Sequence, residues 1–333
     1  MHICFRHLRE ALVETLMDLD WEIVALMGRH PLRWHHPNKQ LVHDLAQGSG
    51  AEPPGRIRAR RWLPGAVGSV GPVGSLSVER YDGPFAYDDD EDADVMVFYP
   101  NFADHDLFGY WDGPLLAQDE LQVAEHPALA AVRLELLAEA QVTTTRDRHG
   151  RPTPFTFEGV PRRVSIDVLP GPARPLGLYG NRFAVADPSV VRDATEVLDP
   201  PTITNLVAMS APACGRGRYT SAQIRWILTA AYTAFAATRA CAGERELVVH
   251  TGFWGCGAFG GSHVLMAMLQ LVAASAASVD RIVFHTFAAS GAAHLVEARA
   301  HLAELSSRLD DDPSSWVVAI ERMGFAWGVS DGN

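Results

Sequence analysis

From Glu246 to Phe287 the chain reads as strand, glycine-rich loop, helix, strand, an order that leaves few folds open. Glu246 to Thr251 is a short apolar strand, Leu265, Met268, Leu269 and Val272 recur at helical spacing, and Arg281 to Phe287 is a second strand. Strands joined through a helix pair in parallel with a right-handed crossover, which places this half in an α/β fold. The loop is Gly252-Phe253-Trp254-Gly255-Cys256-Gly257-Ala258-Phe259-Gly260-Gly261, and Ser262 is placed to cap the helix. Its backbone amides, with the positive end of the helix dipole, suit a phosphate or diphosphate. The plainer alternative is a tight turn whose glycines only supply positive φ.

The rest is read by the same rules. Leu12, Leu16, Leu19, Ile23 and Leu26 predict an N-terminal helix within residues 8–29, and the Gly/Pro-rich stretch from Gln47 to Ser75 predicts a long connection without an element. The expected division is therefore residues 1–75, a helical extension with its connection, and residues 76–333, the main domain. Val95 to Tyr99 and Val164 to Val168 read as buried strands, and residues 115–140 as one helix. Thr220 begins a capping box with Gln223 and opens another helix, and Asp310-Asp311-Asp312-Pro313 is a turn and helix start.

Composition excludes several classes. With 28 Lys and Arg against 40 Asp and Glu, the net charge is −12, and the densest basic run, Arg56, Arg58, Arg60 and Arg61, is too short to track a nucleic acid. That run reads as solvated. No stretch approaches about 18 apolar residues, so no membrane partner is expected and the protein is expected to be soluble and cytoplasmic. Cys4, Cys214, Cys241 and Cys256 are too sparse for a disulfide framework or zinc motif. Lys39, the only lysine, sits in a polar segment and is a poor Schiff-base candidate, and His35, His36 and His43 read as surface or helix-face residues rather than ligands. Gly255 to Gly260 fits the GxGxxG dinucleotide pattern, but no acid ends the next strand, which closes on His285-Thr286-Phe287. A nicotinamide oxidoreductase is thereby disfavoured.

The wording of the loop is more specific than its pattern. Thr251 to Gly261 closely resembles the TGNWGCGAFGG segment of poly(ADP-ribose) glycohydrolases, which are macrodomains, with ten of eleven positions shared. The resemblance implies a macrodomain-like α/β fold, a mixed sheet flanked by helices, with the N-terminal helical extension added. It implies that Gly255, Cys256, Gly257, Ala258, Phe259 and Gly260 hold the diphosphate and that Phe287 stacks on adenine. Upstream, Asn101-Phe102-Ala103-Asp104 is similar to the family's DFAN, and Gln118-Asp119-Glu120 to its QEE, whose second Glu is catalytic and matches Glu120. His126-Pro127-Ala128-Leu129 is similar to NPEL, and Val164 to Val168 to VAIDA. Without the resemblance, Asp119-Glu120 would read as a solvated helix face and Phe287 as core.

One departure bears on specificity. Where those enzymes carry three glycines before QEE, this chain has Phe108-Gly109-Tyr110-Trp111-Asp112-Gly113. Two rings and a carboxylate replace bare backbone, and Asp112 joins Asp104, Asp106, Asp119 and Glu120 in an acid-rich segment. Carboxylates crowded beside a diphosphate pocket favour a substrate bearing positive charge, and a guanidinium is the matching fork. The variant therefore resembles macrodomains that remove ADP-ribose from arginine. The expected reaction is hydrolysis at the anomeric carbon of ADP-ribose, with Glu120 as acid/base, Asp119 or Asp112 assisting, and Asn101, Asp104, Trp111 and Gln118 contacting substrate. The implied partners are an ADP-ribosylated protein and ADP-ribose as product; no cofactor or metal is expected. Cleavage of polymer and binding of ADP-ribose without cleavage are the alternatives. The acid that contacts adenine falls somewhere in the run Asp88 to Asp94.

Overall fold

The computed structural model describes residues 13–48, 50, 52–87 and 92–332. In chain order the elements are β1 (Thr15–Glu22), α1 (Ile23–Arg29), α2 (Pro37–Gly48), β2 (Arg56–Trp62), β3 (Ser77–Tyr81) and β4 (Val95–Asn101). Then come α3 (Gln118–Glu125), α4 (Ala128–Ala138), β5 (Phe155–Ile166), α5 (Pro188–Asp193) and β6 (Thr195–Ala208). The last are α6 (Ser221–Ala242), β7 (Glu246–Thr251), α7 (His263–Ala276), β8 (Arg281–His285), α8 (Ala289–Ser306) and α9 (Pro313–Arg322).

The strands form one mixed sheet of eight, in the order β1-β2-β5-β6-β4-β7-β8-β3. Neighbours from β1 to β6 are antiparallel, whereas β6, β4, β7, β8 and β3 run parallel. The central strands are apolar throughout because both faces are covered. Met96 and Phe98 of β4 enter one core with α6 to α9, while Val97 and Tyr99 enter the other with α1 to α5. Leu247 and Val249 against Val248 in β7, and Ile282 and Phe284 against Val283 in β8, divide the same way. The mixed α/β sheet flanked by helices agrees with the sequence reading, as do the parallel β7–α7–β8 unit and the caps Thr220, Ser262 and Asp312.

The N-terminal quarter departs from it. The helix expected within residues 8–29 is a strand over Thr15–Glu22 and a helix only over Ile23–Arg29; residues 8–12 of that expectation lie outside the described ones. Met17, Leu19 and Trp21 alternate with Asp18, Asp20 and Glu22, and this period of two outweighs the coincidental spacing of the leucines. The expected Gly/Pro connection contains β2, whose Ile57 and Ala59 point into the core between outward arginines. Arg56 pairs with Asp20, and Arg58 with Asp18. Arg60 reaches Glu158, and Arg61 is buried on Thr153. Arg56 and Arg58 are thus solvated as expected, within a cross-strand ladder of ion pairs, whereas Arg60 and Arg61 are drawn out of solvent. The sheet runs unbroken across residue 75, so β1 and β2 belong to the sheet rather than to a helical extension. The helix expected over 115–140 is two, divided at His126-Pro127 because proline lacks the amide an interior turn requires.

Candidate functional site

Adjacent parallel strands β4 and β7 send their following helices to opposite faces: α3 joins the α1–α5 layer and α7 the α6–α9 layer. Such a divergence opens a crevice at the strands' carboxyl ends. A cleft of about 770 Å³ lies there, walled by Phe102 and Asp104 after β4, the head of α3, the glycine loop after β7, and Phe287 after β8.

The α3 wall carries the acids. Asp119 and Glu120 sit in the first turn of α3, where the helix dipole favours negative charge, yet both are buried rather than on a solvated face. Asp119 accepts from Asn101 Nδ2 at 3.0 Å and from the Asp104 amide. Glu120 Oε2 accepts from the Ala117 amide at 3.1 Å, which also caps the helix. Desolvation pushes Asp119 up to about 6, and desolvation with the neighbouring Asp119 charge pushes Glu120 up to about 7. Two coupled carboxyls that share protons near neutral pH are the equipment of a general acid/base.

The β7 wall is made of backbone. Trp254 is buried and donates from Nε1 to Met209 O at 3.1 Å, anchoring the loop. Gly255 and Gly260 adopt positive φ, and a Cβ on Gly255 would stand 2.5 Å from the Ala211 methyl, so the wording of the loop is a steric requirement. Internal hydrogen bonds employ the amides of Trp254, Cys256, Gly260 and Gly261; among the described residues those of Gly255, Gly257, Ala258 and Phe259 make none of them. Gly255, Gly257, Ala258 and Phe259 line the cleft, whereas Cys256 turns its thiol into the core and Gly260 packs under Gly328 and Ser330. Residues 328–332 cross this loop: Gly328 donates to Gly260 O at 2.8 Å, and Asp331 Oδ2 lies 3.0 Å from where a Gly257 Cβ would stand. Phe287, beyond the end of β8, is held at φ 60° and is 51% exposed, lining the cleft rather than entering the core. A non-glycine residue in that region is strained, and here the strain turns the ring into the opening.

Other expected contacts turn elsewhere. Asn101 is fully buried and holds Asp119 instead of facing the cleft. Gln118 reaches the lining, but its side chain accepts from Phe102 N at 2.7 Å and donates to Pro100 O at 3.0 Å. Trp111 packs edge-on against Trp34, centroids 4.7 Å apart, so Tyr110 is the ring that lines the cleft. Asp112 is not among the lining residues, and its carbonyl accepts from His36 N at 3.0 Å. Asp104 does line the cleft, and Asp106 is held by Arg133. His43, expected on a helix face or at the surface, lies on the buried face of α2 beside Trp34. Of the acidic run, Asp88 to Glu91 lie outside the described residues.

Some cleft residues carried no signal in the sequence reading. Tyr179 accepts from the Gln118 amide at 3.1 Å, and desolvation of its hydroxyl end pushes it up to about 12. Arg162 and Glu125 form a buried pair at 3.0 Å, with the guanidinium 4.4 Å from the Tyr87 ring centre. Lys39, expected in a polar segment, is buried behind the carboxylates. Only its being the sole lysine could have marked it.

Residues 177–294 match the family model described as Poly (ADP-ribose) glycohydrolase (PARG), Macro domain fold. No curated protein matches the chain. Among solved structures it is similar to poly(ADP-ribose) glycohydrolase from Thermomonospora curvata, at 16% identity over 83% of this chain and 96% of that one, with a TM-score of 0.46. The same enzyme bound to the inhibitor ADP-HPD gives 17%, 84%, 96% and 0.47. The Deinococcus radiodurans enzyme in complex with ADP-ribose gives 12%, 85%, 98% and 0.38. The matched stretch, residues 177–294, includes the glycine loop and Phe287, and over it the chain is similar to the family described as poly(ADP-ribose) glycohydrolase with the macrodomain fold.

Proposed function

We propose that this protein is an ADP-ribosyl glycohydrolase that frees ADP-ribose from modified protein side chains, arginine foremost. The observation that carries the hydrolytic reading is the buried Asp119–Glu120 pair facing a glycine loop across one cleft. Adenine stacks on Phe287, the diphosphate takes the amides of Gly255, Gly257, Ala258 and Phe259, and Phe259 packs on the ribose side. The distal ribose then reaches the head of α3.

Cleavage passes through an oxocarbenium-like transition state. Protonated Glu120 gives its proton to the leaving atom as the bond at the anomeric carbon breaks, and the bonding electron pair leaves with that atom. Ionised Asp119 offsets the positive charge developing on the sugar. Water then adds to the anomeric carbon and returns a proton to Glu120. An acid lifted to about 7 can serve in both directions at neutral pH. Asn101 and the Asp104 amide hold Asp119 in its ionised form, and Gln118 ties α3 to the strand end.

Support for arginine comes from Asp104, Asp119 and Glu120 lining one wall, since carboxylates accept a guanidinium in its own fork geometry. Poly(ADP-ribose) is the second reading, favoured by a specific observation: Asp112 does not line the cleft, and buried Lys39 offsets the acids beside it, which lowers the demand for a cationic substrate. Release of ADP-ribose from arginine-, serine- and glutamate-linked proteins and from polymer, by wild type and Glu120→Gln, tests both. Arginine-restricted release lost in the variant is the expected result. Polymer cleavage selects the second reading, and binding without release leaves an ADP-ribose reader.

A further inference from the structure

Of the 28 lysines and arginines in the chain, Lys39 alone is lysine, and it is 1% exposed. It projects from α2, and its Nζ donates to Trp111 O at 2.8 Å and toward Tyr110 O at 3.4 Å. Those carbonyls belong to the segment that carries Tyr110 into the cleft. The same ammonium is within electrostatic reach of Glu120 and Asp119 on α3 and of Asp112 in that segment. His36, at the start of its own helix, feels its charge. Arg163 of β5, also packed under α2, is held by Glu52 at 2.8 Å, and the turn before α5 meets α2 through Asn38.

A buried ammonium is costly unless both its donors and its charge are matched. Here carbonyls meet the donors, and the carboxylates of Glu120, Asp119 and Asp112 act on the charge through space. An arginine fork is broader and never gives up its proton, whereas a compact ammonium fits a two-carbonyl niche and can titrate.

We propose that Lys39 is a positioning residue of the hydrolytic site, fixing the Tyr110 wall through its carbonyl bonds and serving as the counter-charge of the Asp119–Glu120 pair. The proposal rests on the hydrolytic reading of that pair, but its electrostatic half can be measured without turnover. Burial drives Lys39 down to about 8, while Glu120, Asp119 and Asp112 hold it from falling further. Reciprocally, Lys39 keeps both carboxyls of α3 from rising further.

Because the chain has one lysine, protein labelled with carbon-13 lysine gives a single lysine Cε resonance, whose pH titration reads Lys39 alone. The expected midpoint is about 8 in the wild type, falling by roughly one pH unit in Glu120→Gln. In Lys39→Met, both limbs of the kcat–pH profile are expected to move up by about half to one unit, as the carboxyls lose their counter-charge. A midpoint near the free value of about 10.4, or one that Glu120→Gln leaves in place, overturns the proposal even if Lys39→Met does not fold. Activity lost in Lys39→Met with unmoved limbs reduces Lys39 to packing and overturns the counter-charge. A midpoint that moves in a protein releasing no ADP-ribose from any substrate sinks the hydrolytic reading and keeps the counter-charge.

Discussion

The α3 wall of the cleft presents buried charges on side chains, whereas the β7 wall presents backbone amides and rings. The first works against its own stability: both carboxyls are raised by desolvation, and an ammonium is buried with them. The second costs little, because its glycines adopt conformations other residues resist and its anchors, Trp254 and Cys256, lie in the core. On the proposed function, chemistry falls to the charged wall and recognition to the backbone wall, and substitutions should separate kcat from affinity.

The largest separation is expected at Glu120. Glu120→Gln should lower kcat by about 10³-fold or more, while ADP-ribose affinity, read by calorimetry, stays within a few fold. Loss of affinity in proportion to kcat would erase the distinction between the walls. The same variant should be more stable than wild type at pH 8 by on the order of 1–3 kcal/mol. The sign follows from the raised pKa: Glu120 adds stability below its unfolded value of 4.5, and that contribution is lost as pH rises through about 7. The gap measured by urea denaturation should thus be near zero at pH 4.5 and fully open at pH 8.

On the other wall, Gly255→Ala should act through binding. Its Cβ would meet Ala211 at 2.5 Å, and φ there is 72°. A shifted loop should weaken ADP-ribose affinity by about 10–100-fold and lower the melting temperature, with kcat at saturation changed less. An affinity unchanged in a folded Gly255→Ala would show that the amides do not hold the diphosphate.

The two walls also differed in how far they could be read in advance. The glycine loop, β4, β7, α7 and β8 were legible because continuous apolar strands and steric glycines leave local marks. The carboxylates were visible only through the QEE likeness, since the burial of Asp119 and Glu120 is set by tertiary packing that leaves no local pattern. Lys39 left no pattern. Asp112 and Trp111 were misplaced because sequence adjacency does not say which side of a turn faces the cleft: Tyr110 took the opening, and Trp111 went to Trp34. In β1 the leucine spacing imitated a helix while Asp18, Asp20 and Glu22 kept the strand period. β2 was hidden because its apolar Ile57 and Ala59 are interleaved with Arg56, Arg58 and Arg60.

Phe287 sharpens the comparison at a smaller scale. Its ring is half exposed and lines the cleft, so Phe287→Ala should weaken ADP-ribose by about 10-fold through lost stacking while leaving affinity for ribose 5-phosphate unchanged. Equal weakening of both ligands would mean the ring supports the loop rather than adenine.

The smallest effect is expected where the backbone wall borrows a charge. Asp331 donates from its amide to Gly257 O at 3.4 Å, and its carboxylate stands beside the amides assigned to the diphosphate. An arriving diphosphate meets that negative charge at close range, and repulsion between partly exposed groups is modest and screened by salt. Asp331→Asn keeps the amide bond and removes the charge, so ADP-ribose affinity should rise about two- to five-fold at low ionic strength, with the gain shrinking toward 0.5 M salt. A gain that ignores salt would assign the effect to loop geometry. A fall in affinity would make Asp331 a ligand contact, and the β7 wall would then, like α3, carry a charged side chain for a functional reason.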